Sequence, residues 1–155
     1  MASYSMPILS IPLYYALAVF PHGWAISRAN KRDMKQHHNQ NPKASSYHEN
    51  LKKRLTAQEF AAFERAESCH RNHMENMPLF VAAIFAGLLA ESRVGVDQVG
   101  LNTFVYGWMA VRVLYTANYL TTETRAWSYL RSILYFVGTG WAFSVLGRSA
   151  LVLGN

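Results

Sequence analysis

The chain is poor in charge and almost without cysteine. Asp, Glu, Lys and Arg make up only 15% of its 155 residues, against about 25% in an ordinary soluble domain. The single cysteine, Cys69, excludes an internal disulfide and leaves no thiolate set for a structural zinc site. No phosphate-cradling glycine loop and no serine-hydrolase elbow is present. Acidic residues are fewer than basic ones, nine against fifteen. Apolar residues, by contrast, reach 51% and aromatics 14%, which excludes a disordered chain.

The apolar residues are gathered in four blocks, which the near-zero mean hydropathy conceals. Residues 7–26 contain no Asp, Glu, Lys or Arg, a length sufficient to span a bilayer as a helix. No basic segment precedes this block and no small-x-small site follows it, so it does not read as a cleavable leader. Pro12 and Pro21 are tolerable in a membrane helix. Residues 76–90 form the second block, extended at its start by a polar helical stretch from residue 57. Residues 98–122 carry one charge, Arg112, and residues 126–147 also carry one, Arg131. A soluble bundle would place charge on its outer face at nearly every turn. The pattern therefore predicts an all-α, integral membrane four-helix bundle. The whole chain, residues 1–155, forms one domain, with helices at about 7–27, 57–90, 98–122 and 126–150.

Between the first two helices lies a basic loop, residues 29–56. With Arg28 at its edge it holds Arg28, Lys31, Arg32, Lys35, Lys43, Lys52, Lys53 and Arg54 against Asp33 and Glu49. The positive-inside rule places this loop in the cytosol and both termini on the opposite side. That topology accounts for the net charge of +6 without nucleic acid, and no stacking or groove-reading motif accompanies it.

Ionisable residues inside membrane helices are costly, and they are functional candidates by default. On the second helix Ser68, Arg71, Asn72 and Glu75 share an arc of about 100°. Trp108, Arg112, Tyr115 and Tyr119 form a stripe on the third helix. Ser128, Arg131, Ser132, Tyr135 and Thr139 form one on the fourth. The three stripes lie toward the same membrane side and suit a small zwitterionic or anionic ligand, because arginine grips carboxylates bidentately. Arg71 and Glu75, spaced i,i+4, can instead pair with each other and simply fix helix packing. Six histidines raise the question of a metal. His37 and His38 are adjacent, and His70 and His73 face away from the polar arc with no evident carboxylate, so no metal site is expected.

The run His70-Arg71-Asn72-His73-Met74-Glu75-Asn76-Met77-Pro78-Leu79-Phe80 resembles the second-helix signature of the membrane-associated proteins in eicosanoid and glutathione metabolism. Arg131-Ser132-x-x-Tyr135, preceded by Arg112 and Tyr119, is similar to that family's pattern on the later helices. The resemblance covers essentially the whole chain. It implies a homotrimer with glutathione bound between protomers near the cytosolic face. Arg71, Asn72, Glu75, Tyr119, Arg131, Ser132 and Tyr135 match its glutathione-contacting positions. Arg112 and Tyr115 join this set, and Arg28 is a further match that no motif anchors. Arg131 matches the arginine that stabilises the thiolate, with Ser132 and Tyr135 as its catalytic companions.

The activity implied is a glutathione transferase, with peroxidase chemistry possible, acting on a lipophilic substrate drawn from the bilayer of the endoplasmic reticulum or another internal membrane. A glutathione-assisted isomerase or biosynthetic enzyme, or a non-enzymatic lipid-binding protein, stands as the alternative. Three departures leave the subtype open: Ser68 where many members have arginine, Tyr115 where the prostaglandin E synthase type has histidine, and a longer connection over residues 121–129.

Overall fold

The computed structural model describes residues 5–30 and 45–155. Most of the basic loop, including His37 and His38, lies outside them. Five helices are present among the described residues: α1 (Ser5–Ala29), α2 (Ser45–Arg54), α3 (Ala57–Val94), α4 (Leu101–Thr121) and α5 (Arg125–Leu153).

Helix α3 begins at a capping box. The Thr56 hydroxyl accepts from the Glu59 amide, and the Glu59 carboxylate accepts from the Thr56 amide. Its 38 residues extend about 57 Å at 1.5 Å each. That is far more than a hydrocarbon layer of about 30 Å. The charged first half therefore stands at one membrane edge and the apolar second half crosses. The helix stops at Gly95, whose φ of +105° disfavours any side chain. Two carboxylates organise the turn that follows. Asp97 accepts from the Asn102 amide at 3.0 Å, and buried Glu91 accepts from the Leu101 amide at 3.2 Å. These satisfy donors that a helix start leaves free.

Helices α1, α3 and α5 are long and apolar enough to cross a membrane. Helix α4 has the length, 21 residues, but falls short in hydropathy. Arg112, Thr116, Asn118 and three tyrosines lower its average. The expected four-helix bundle also omitted α2, whose polar sequence gives no apolar signal. Its fold is set by tertiary contact: Leu51 and Leu55 bury against Ala25, Ala29, Phe63 and Ala66. Arg54 donates through Nη2 to the Ala29 carbonyl and to Asn30 Oδ1, both at 2.9 Å, locking α2 to the end of α1. Burial raises the Tyr47 phenol above its usual range, and nearby Arg54 opposes that shift.

Helix α1 packs along α3, and α3 and α4 both pack on α5. Aromatic rings fill the centre. Tyr14 meets Phe80 and Trp108 edge-on, with centroids 4.9 and 5.6 Å apart, while Phe80 stacks on Trp108 at 5.1 Å. Such pairs add about 0.5–1.5 kcal/mol each beyond their area. Small residues let the helices approach: Ala18, Ala83, Gly138 and Ala142 are buried at the contacts. Outward-facing positions are large and apolar, among them Leu13, Phe20, Phe85, Leu114, Ile133, Phe136 and Phe143. This is the surface of a protein solvated by lipid, since a soluble one rarely exposes so extensive an apolar area.

Candidate functional site

At the end of the bundle that carries α2, three helices line an open cavity of about 380 Å³. Asn72 contributes from α3, Tyr115 and Tyr119 from α4, and Ser128, Arg131, Ser132, Tyr135 and Phe136 from α5. No carboxylate among the described residues lines it. On α5 the spacing of Ser128, Arg131, Ser132 and Tyr135 puts all four on one face at successive turns. Arg131 lies over the Tyr119 ring, 4.3 Å from its centroid, which fixes the plane of the guanidinium.

Arg112 does not line this cleft; it is packed directly behind two residues that do, Asn72 and Tyr115, and is 1% exposed. Its guanidinium rests 4.5 Å from the Trp108 ring and 5.4 Å from Tyr115. Nη1 donates to Asn72 Oδ1 at 3.1 Å. Nε and Nη2 are buried with no hydrogen-bond partner among the described residues. A buried cation with unsatisfied donors is an arrangement that an anion would complete, because leaving a buried charge unpaired is expensive. Trp108, grouped with the polar stripe on sequence spacing, is instead the apolar plate beneath Arg112.

The remaining expected residues lie elsewhere in the protomer. Arg71 and Glu75 are on the outer face of α3. The ion pair that their i,i+4 spacing allows is not made, and both residues are exposed. Arg28 stacks on Trp24 at 4.9 Å and borders a second cleft with Gln58, Glu59, Arg65 and Glu123. There Arg65 and Glu123 form an ion pair at 3.3 Å.

Sequence reasoning passed over a polar layer behind the cavity. His73 is fully buried, with Nε2 2.8 Å from Thr116 Oγ1 and Nδ1 3.3 Å from the Tyr14 hydroxyl. His22 pairs with Glu67 at 2.7 Å, and His70 meets the Ala18 carbonyl at 2.7 Å. A signal was available. His73 falls in register with Phe63, Ala66, Cys69, Asn76, Phe80 and Ala83, the buried line of α3.

The fold and site define a helical protein of several membrane-crossing segments with a cationic, hydroxyl-rich cavity at one end. The family model for the MAPEG family matches residues 8–151, nearly the whole chain, and the chain belongs to that family. No curated protein and no solved structure matches it. The family comprises glutathione transferases and related membrane enzymes, so the family supports an integral membrane protein of glutathione-related transferase or isomerase type.

Proposed function

We propose that the protein is a membrane-bound glutathione transferase, with peroxidase activity in the same site, acting as a homotrimer. The observation that carries this reading is the convergence of Arg131 and five hydroxyl side chains on one cleft that no carboxylate among the described residues lines, with buried Arg112 packed behind it. Glutathione presents two carboxylates and an ionisable thiol, and the donor set suits it. The orphaned Nε and Nη2 of Arg112 are the geometric part of that fit. The cavity volume falls within the range of small-ligand sites, about 300–1,000 Å³.

The outer face of α3 supports assembly. Among its exposed positions, Glu64, Ser68, Arg71, Glu75, Pro78, Ala82, Phe85, Leu89 and Ser92 recur four and three residues apart. That spacing suits the seam of a helix packed on copies of itself. Arg71 and Glu75 lie on this seam, from which they reach a neighbour's ligand rather than their own cavity. Arg71 and Arg28 then hold carboxylates, and Glu75 accepts from the ammonium. The fourth crossing is α4, shielded by its partners from lipid at its polar positions.

Bound glutathione supplies a thiol whose thiolate displaces a leaving group from an electrophilic carbon, or attacks a peroxide oxygen and breaks the O–O bond, releasing the alcohol and leaving a sulfenic acid that a second glutathione converts to the disulfide and water. Arg131 places its cation beside the sulfur and favours the ionised form. A free thiol has a pKa of about 8.5, and a lowering of about two pKa units represents about 2.7 kcal/mol, about a hundredfold in the thiolate-to-thiol ratio. Ser132 and Tyr135 donate hydrogen bonds to the same sulfur. The lipophilic substrate arrives from the bilayer along exposed Phe136, beside Tyr115 and Tyr119. The basic residues of α2 and the loop face the cytosol, and the host membrane is the endoplasmic reticulum or another internal one.

Ultraviolet difference absorbance at the thiolate band, on adding glutathione to purified trimer, tests the reading. A saturable band is expected, followed by glutathione consumption with a generic aromatic electrophile. A band without consumption would move the assignment to an isomerase. No band and no binding would leave a lipid-binding protein and overturn the proposal.

A further inference from the structure

Behind the cavity, the buried imidazole of His73 ties three helices together. Thr116 Oγ1 lies 2.8 Å from the Arg112 carbonyl, within hydrogen-bond reach. His73 Nε2 lies 2.8 Å from the same hydroxyl oxygen, so the two side chains share one short hydrogen bond whichever ring nitrogen carries the proton. The Tyr14 hydroxyl lies 3.3 Å from Nδ1 and 3.3 Å from the His73 carbonyl, a longer and divided contact. The Tyr115 ring stands edge-on to the imidazole with centroids 5.7 Å apart.

The chain of bonds His73–Thr116–Arg112 carbonyl runs from α3 to α4 one residue from Asn72, whose Oδ1 takes the Arg112 guanidinium. Two short links thus bridge the same pair of helices at the same height, one to the backbone of Arg112 and one to its side chain. We infer that His73 is a positioning residue: through Thr116 it holds the register of α4 against α3, and so holds the Arg112 guanidinium at Asn72 and behind the cavity wall. Its consequence for glutathione rests on the function proposed above, whereas the register itself does not.

The geometry separates the two ring nitrogens, which gives a test by mimicry. Glutamine carries an amide N–H near the place of Nε2, and asparagine carries its amide near that of Nδ1. In the full-length protein, nuclear magnetic resonance of ¹⁵N-labelled arginine without added ligand reads the Arg112 guanidinium. His73→Gln should keep its protons as slowly exchanging as in the wild type. His73→Asn and Thr116→Val should speed their exchange at least tenfold, and Tyr14→Phe should leave it within about twofold. Native mass spectrometry reports whether each variant keeps its assembly. If His73→Asn does not fold, Thr116→Val, close in shape to the native residue, decides alone.

Glutathione titration of the same variants is the second readout. Affinity and thiolate absorbance should fall about tenfold for the asparagine and valine variants and be restored by glutamine. Unchanged Arg112 exchange in folded Thr116→Val, or equal behaviour of the glutamine and asparagine variants, overturns the inference. A wild type with no thiolate band overturns the glutathione reading instead, and the arginine exchange still decides the role of His73.

Discussion

Asn72 on α3 and Arg112 on α4, forty residues apart, are joined by one hydrogen bond of 3.1 Å, the only one the Arg112 side chain makes among the described residues. A buried guanidinium is thereby held by a neutral amide instead of a carboxylate. No carboxylate among the described residues pairs with its charge, which lies behind Asn72 and Tyr115 of the neighbouring cleft.

That relationship predicts opposite effects for two substitutions. Asn72→Ala removes the acceptor and should destabilise the protein by about 1–3 kcal/mol, the cost of an unsatisfied buried donor. Asn72→Asp supplies a counter-charge and should hold or raise the melting temperature. It should also weaken glutathione binding at least tenfold, because the new carboxylate competes for the same cation. Thermal unfolding in detergent beside a glutathione titration reads both. Equal affinity in Asn72→Asp and the wild type would show that Arg112 does not serve the ligand.

Arg131 is expected to control ionisation more than binding. Arg131→Ala should lower the thiolate-to-thiol ratio of the bound glutathione about a hundredfold, equivalent to about 2.7 kcal/mol, while keeping much of the glutathione affinity. Arg131→Lys keeps the charge but not the planar fork that lies on Tyr119, and should recover only part of the loss. Glu75→Gln should do the reverse, weakening binding while leaving the ionisation of bound thiol near normal. If Arg131→Ala retains thiolate absorbance and turnover, the thiolate arginine is Arg112 or Arg28.

The exposed seam of α3 should be sensitive at its middle. Tryptophan is harmless on a lipid-facing surface and obstructive where helices of three protomers meet. Ala82→Trp should therefore convert the proposed trimer to smaller species by native mass spectrometry, with helical content unchanged. Ala110→Trp, on the exposed face of α4, should leave assembly intact. A wild type that is monomeric and binds glutathione stoichiometrically would sink the shared-site arrangement.

Glycine content on α4 and α5 makes a packing prediction. A Cβ on Gly107 would meet the Trp141 ring at 2.1 Å, whereas one on Gly140 would have no heavy atom within 4 Å. Gly107→Ala should cost about 1–3 kcal/mol as α4 and α5 are pushed apart, in line with overpacking of other cores. Gly140→Ala should be neutral or slightly stabilising. Melting temperatures of the two variants check this, and equal values would mean that Trp141 swings away freely.

Much of the architecture was legible because lipid imposes a simple pattern. A helix that crosses a bilayer must be apolar over about twenty residues, and residues 7–26 and 126–147 carry that pattern without needing neighbours, while the shorter block 76–90 completes a helix only with the polar stretch before it. Helix α2 was not legible, because its residues are polar. Only the burial of Leu51 and the Arg54 bonds to Ala29 and Asn30 select its conformation. The α5 stripe of Arg131, Ser132 and Tyr135 was readable from spacing, since residues three and four apart share a face by helix geometry alone.

The sequence by itself determined the helices, their membrane character and the residue types at one end of the bundle, all of which follow from local hydropathy and period. Which of those residues meet was decided by how the helices are rotated about their axes. The rotation that buries Phe80 and His73 turns Asn72 to the cavity and leaves Arg71 and Glu75 outside. On an α-helix one residue is a turn of 100°. Neighbours in sequence therefore face different partners, and only the packing of α3 against α1, α4 and α5 assigns each of them its own.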